Sequence, residues 1–415
     1  MQTSPNTQAI LLLTTHFTKD RRGEEKPLTP KEWGRFAGWL KSRTLTPESL
    51  LKENLNVLLE DWRDKTVSID RIKTLLERGV ALSLSMDKWL GGGLWIMTRS
   101  DSDYPSRLKK RLGIDSPAVL FGCGRRALLG GGGIAVAGSR NACQSDIDYS
   151  RRFGALVSQS GRSVISGGAR GVDEAAMLGA LDDDGTAVGV MANDLLRACA
   201  SAKYRRYLTG GHPGHPANLV LVSPFNPEAP FNAGNAMQRN KYIYCLSDLA
   251  LVVHTGREGG TWNGAMETLR KKWAPLLVKK TDDREAGNAD LIGKGATEAP
   301  AEVGDIDIKR LFESCSNTRK ADNETNPKPD AAPVENAADD APPCSFYRMF
   351  LNRIQPKCSN QPQTPDDLAD YFDIESNDIS KTQLNAWLKR AVSEKQMKKL
   401  TNPVRYQWID QKKMF

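Results

Sequence analysis

Two glycine-rich turns, each carrying an arginine, hold the residues of this chain best suited to chemistry. The first reads Gly138-Ser139-Arg140; the second reads Ser166-Gly167-Gly168-Ala169-Arg170-Gly171 and is followed by Asp173. Glycine lets a backbone approach an anion closely, serine offers a hydroxyl, and arginine adds a planar fork of donors. A helix expected from about Val172 to Leu181 points its free N–H groups and the positive end of its dipole at the same place. A single turn of this kind is as often a plain strand-to-helix connection. Two of them, both with arginine, predict a phosphate-binding site.

These turns need strands behind them, and the sequence supplies them. Ile134–Ala137 and Ser163–Ile165 read as buried strands, each entering its turn from the carboxyl end and separated by an amphipathic helix. Ala187–Met191, Leu219–Ser223, Leu249–Val253 and Leu276–Val278 are further apolar runs of strand length, with helix-like stretches at 236–246 and 263–273 between them. Such alternation predicts an α/β fold of Rossmann-like class, a mostly parallel sheet covered by helices.

Phe231, Asn232, Arg239, Asn240 and Lys241 follow the Leu219 strand in a loop and helix start, which places them near the two turns. Arg140, Arg170, Arg239 and Lys241 are expected to converge on one cleft, with Asn240 free for hydrogen bonds. Phe231 reads either as a base-stacking platform or as a loop anchor. The sequence presents no Ser/His/Asp or Cys/His arrangement, no spaced carboxylate pair beside the glycines and no G-x-x-x-x-G-K-[ST] pattern, so a non-catalytic binding protein is expected.

A chain of 415 residues suggests two or three domains. Its net charge of +8 favours a polyanionic partner. The cysteines at 123, 143, 199, 245, 315, 344 and 358 are odd in number and scattered without a C-x-x-C pair, which argues against a disulfide framework or a structural zinc site. His212 and His215 lie in a Gly-Pro loop with no further ligands nearby, so neither a metal nor another cofactor is expected. The brief apolar run Ala9–Leu13 lacks the flanks of a secretory signal, and no run approaches membrane-spanning length; the expected compartment is the cytoplasm.

Four regions are expected. Residues 1–90 read as helical, with start signals at Thr29-Pro30, Thr46-Pro47 and Ser68. Residues 91–316 form the Rossmann-like domain. Residues 317–343, rich in Pro, Ala, Asn and acidic residues, read as a disordered linker. Residues 344–415 follow a helix-helix-hairpin order that reads as winged-helix-like, with Lys381, Lys389 and Arg390 able to lie along duplex DNA, or else to form a solvated face.

The motifs GSR at 138–140, SGGARGVD at 166–173, QRNKYIYCLSDLALVV at 238–253 and GNADLIGKGA at 287–296 resemble those of the DNA-processing protein A family, also called DprA or Smf. The likeness extends to the Trp95–Pro105 and Ser116–Gly122 lead-in and spans about residues 66–297. Departures stand at Met177 (histidine in the family), His254 (glutamate), Lys241 (arginine) and the Gly259–Ala265 run, and the 199–222 segment has no close equivalent. The resemblance implies a homodimer that binds single-stranded DNA without ATP and hands it to a RecA-type recombinase. It also implies that Gly138, Ser139, Arg140, Ser166, Gly167, Arg170, Asp173, Phe231, Arg239, Asn240, Lys241, Gly260 and Thr261 line the DNA groove. Two alternatives stand beside it: a nucleotide-sensing regulator, and a nucleotide phosphoribohydrolase of the LOG type, whose Gly-Gly-x-Gly-Thr-x-x-Glu motif has an echo in Gly259–Glu267.

Overall fold

The computed structural model describes residues 3–17, 25–210 and 216–312, and parts of 354–408. The chain divides into two compact units, Met1–Asn326 and Pro327–Phe415. In the first, nine strands make one sheet: β1 Trp95–Thr98, β2 Val119–Gly124, β3 Ile134–Ala137, β4 Ser163–Ser166, β5 Thr186–Val190, β6 Leu219–Ser223, β7 Leu249–Val252, β8 Leu276–Lys279 and β9 Thr297–Ala299. Their order is β1-β2-β6-β5-β4-β3-β7-β8-β9. From β6 across to β9 all neighbours are parallel, whereas β2 runs antiparallel to both β1 and β6.

Every residue of β3, β6, β7 and β8 is buried, because helices cover both faces of a parallel sheet and leave no solvent side for alternate residues. The winding reverses at β3. From there the chain steps outward through β4, β5 and β6, then returns to β7 on the other flank of β3 and continues to β8 and β9. The crevice at the carboxyl ends of β3 and β7 is therefore the topological switch point, where open α/β sheets hold their ligands.

Residues 1–90 are helical and fold onto this sheet. Ser4 caps the helix Pro5–Thr14, a Thr29–Glu32 capping box opens Pro30–Ser42, and Ser68 caps Ile69–Leu76. The Thr46-Pro47 signal does not cap a helix: the segment there is one turn, Ser49–Lys52, without a side-chain cap. A further helix, Gly79–Gly91, brings the fully buried Trp89 edge-on to Phe121 of β2, with ring centroids 5.0 Å apart. These helices thus share one apolar cluster with the sheet.

In the second unit, β10 Met397–Leu400 and β11 Arg405–Trp408 form an antiparallel hairpin. Thr364 and Asp367 cap each other's backbone N–H at 2.9 and 3.1 Å. Ile354, Leu368, Leu384, Leu388, Ala391, Met397 and Tyr406 form its apolar cluster. Segment 317–343 and the residues Lys381, Lys389 and Arg390 lie outside the described residues.

Candidate functional site

The two glycine turns meet backbone to backbone. Gly171 has φ +95°, and a Cβ there would stand 3.0 Å from the Ser139 carbonyl oxygen and 3.1 Å from that of Arg140. A Cβ on Gly138 would collide with Val172 at 2.5 Å. The close approach brings Arg140 and Arg170 to neighbouring turns. The turn after β7 joins them: the Ser139 N–H donates to the His254 carbonyl at 2.9 Å, and the Thr261 hydroxyl donates to the Gly138 carbonyl at 3.1 Å. Asn240 donates to the Gly260 carbonyl at 3.0 Å and so ties the helix Ala233–Leu246 to the same assembly. Ser166 is wholly buried and donates its hydroxyl to the Val136 carbonyl at 2.6 Å, which fastens β4 to β3.

Asp173 and Arg239 take a different part from the groove lining that the resemblance implies. Both are buried, 7% and 4% exposed, and pair at 3.3 Å. The Asp173 carboxylate also accepts the N–H of Gly167 at 3.2 Å and hydrogen-bonds the backbone of Gly138. It is thus an internal anion occupying donors that the sequence offers to a phosphate. Burial pushes the Asp173 carboxyl up despite the arginine and the backbone donors, and it pushes the Arg239 guanidinium down. The Arg239 guanidinium lies where a side chain on Gly167 would be, so any side chain there would displace the arginine from its pairing with Asp173. Arg239 therefore holds the turns together from inside.

The exposed rim is formed by other residues. The Arg140 guanidinium lies 4.6 Å from the ring centroid of Phe231, which is 39% exposed. Arg170 is exposed on the adjoining turn. Lys241 does not converge with Arg239: two residues further on, it projects about 200° round the helix, with its ammonium 5.1 Å from the Tyr242 ring. The cleft of four cations expected from the sequence is thus a rim of two arginines and one aromatic ring above a buried ion pair.

Sequence reasoning missed the residues that brace the β7 turn. Asn288 is buried, accepts the Thr255 N–H at 3.0 Å, and donates to the carbonyls of Val253 at 2.9 Å and Lys279 at 2.8 Å. Its position just after Gly287 in a quoted motif was the available signal. His254 faces Asp283 at 3.1 Å, and this hydrogen bond holds the Asp283 carboxyl below its ordinary range.

A doubly wound α/β sheet with paired glycine turns at its switch point defines a Rossmann-like binding protein. The model of one such family, DNA recombination-mediator protein A, matches residues 95–307, and the chain belongs to that family. Protein Smf of Escherichia coli (strain K12) is 30% identical over 246 residues, which span 54% of this chain and 61% of that protein. A putative DNA processing protein DprA of Mycobacterium tuberculosis is 28% identical over 188 residues, spanning 44% of this chain and 46% of that protein. The chain thus matches less than two thirds of either relative. The crystal structure of DNA processing protein A from Streptococcus pneumoniae shares the fold, with a TM-score of 0.54 at 16% identity over 72% of this chain and 95% of that one.

Proposed function

We propose that this chain binds single-stranded DNA along the rim of the switch-point crevice, with Arg140 and Arg170 on phosphates and Phe231 stacked on a base. The observation that carries the reading is the Arg140–Phe231 pair, a cation and a π-face side by side and exposed above turns locked by Asp173 and Arg239. Single-strand binders combine these two groups: cations track the backbone, and aromatic rings accept any base. Membership of a recombination-mediator family supports the same reading. Within it, the protein acts without catalysis, cofactor or ATP, as a cytoplasmic homodimer that passes its strand to a RecA-type recombinase. No helix among the described residues is long and apolar enough to cross a membrane. The winged-helix-like C-terminal unit adds a duplex contact through Lys381, Lys389 and Arg390.

Salt titration tests the assignment of the arginines. Each phosphate contact releases counterions, so Arg140→Ala and Arg170→Ala should each flatten the log–log salt dependence of single-strand affinity by about 0.7. Phe231→Ala should weaken binding by about 1–3 kcal/mol with the slope unchanged. An unaltered slope in both arginine variants removes them from the DNA path.

A further inference from the structure

Phe231 sits on a loop that the sheet alone does not hold. Its ring is exposed, and Ala229 and Pro230 just before it lie outside any helix or strand. Downstream it is pinned by Asn232, whose side chain accepts the N–H of Gly234 at 2.7 Å and caps the helix Ala233–Leu246. Upstream, the backbone N–H groups of Asp194 and Leu196 donate to the carbonyls of Ala229 at 2.8 Å and Pro227 at 3.1 Å, and side-chain pins come from the N-terminal helices. Glu228 accepts the indole N–H of Trp89 at 3.2 Å through one carboxylate oxygen and the ammonium of Lys88 through the other. Asn226 donates to the carbonyl of His16 at 2.7 Å and accepts the Glu228 N–H at 2.7 Å. Trp89 itself is fully buried against Phe121 and Phe17.

We infer that Glu228 is a positioning residue for Phe231, and that residues 1–90 take part in DNA recognition by aiming this ring at a base beside Arg140. The physical argument is one of pre-organisation. A ring three residues from a carboxylate clamped on a buried tryptophan loses little freedom when a base stacks on it, whereas a free loop must be ordered at that moment. The Lys88 half of the clamp is solvent-exposed and screened, so the Trp89 half does most of the holding. Removing the carboxylate also leaves a buried indole N–H without its acceptor, which favours displacement of the loop. The inference rests on the proposed single-strand binding and adds to it a dependence on a residue that touches no DNA.

The test compares an oligothymidylate with a same-length abasic sugar-phosphate strand, using the full chain and its variants. The ratio of the two affinities reads base stacking alone. The wild-type protein should prefer the base-bearing strand by about fivefold or more, and Phe231→Ala should bring the ratio near one. Glu228→Ala should reduce the ratio to within about twofold of the Phe231→Ala value while leaving the salt slope, which counts phosphates, unchanged. Glu228→Gln keeps an acceptor for Trp89 and should restore most of the ratio; Lys88→Met, at an exposed site, should lower it only slightly. A wild-type ratio in a folded Glu228→Ala protein overturns the inference and leaves the binding site standing. If Glu228→Ala does not fold, Asn226→Ala, which removes the bond to the His16 carbonyl, takes its place, and a wild-type ratio in that folded variant overturns the inference. Absence of single-strand binding by the wild-type protein overturns the functional reading and the inference with it.

Discussion

The same residue type takes opposite environments at this site: Arg140 is exposed, while Arg239 is buried as an internal brace for the turns. Composition and motif spacing place both at the glycine turns and cannot separate them, because a guanidinium suits a phosphate and a buried carboxylate equally. A helical pattern could have done so. Ala236, Arg239, Ile243 and Leu246 recur at helical spacing, and all are buried. Asp173 was open to the same misreading, since a carboxylate at a helix start signals a cap as readily as a binding group. The buried pair carries a stability prediction. Asp173→Asn or Arg239→Met alone should cost about 3–5 kcal/mol in urea unfolding, because each leaves the other group buried and uncompensated. A loss below about 1 kcal/mol in both variants contradicts the bracing role.

Among the elements, the parallel strands were readable because burial on both faces makes them continuous apolar runs, as in Leu219–Ser223 and Leu249–Val252. The antiparallel extension was not. β2 ends in Gly122-Cys123-Gly124, where Trp95 of β1 covers Gly122, so the strand lacks the run of branched side chains that signals its neighbours. Within the region read as helical, the helix Pro5–Thr14 has no start of its own in the reading, since Ala9 to Leu13 are buried in succession and leave no polar face for a period to show. Strand order depends on crossovers that apolar runs do not encode. The switch point was therefore located by its glycines and not by topology. At this scale Asn288 matters most, since one side chain joins the β7 turn to the end of β8. Asn288→Ala should lower stability by about 1–3 kcal/mol for the groups left unpaired. It should also weaken single-strand binding by loosening the turn that holds Ser139 and Thr261. Unchanged thermal unfolding and unchanged affinity together would refute that role.

For the whole molecule, the sequence points to a candidate anion site at the glycine turns, and the structure shows how much of the chain builds the place. The sheet supplies the crevice, Asp173 and Arg239 close its floor, and the N-terminal helices reach the loop of Phe231 through Glu228. A net charge of +8 is a bulk property that raises encounter with any polyanion, so on the proposed reading selectivity comes from the Arg140–Phe231 rim. That rim suits a flexible strand whose bases are free to stack, while a duplex buries its base faces. The most direct test is displacement of a fluorescein-labelled oligothymidylate, followed by anisotropy at two salt concentrations, with unlabelled single strand, duplex and mononucleotide as competitors. The account predicts that the single strand displaces the probe far more effectively than the duplex, that mononucleotides do not displace it, and that affinity falls steeply as salt rises. Saturating displacement by a mononucleotide at unit stoichiometry, with little response to salt, would show instead a small-nucleotide pocket and contradict the account.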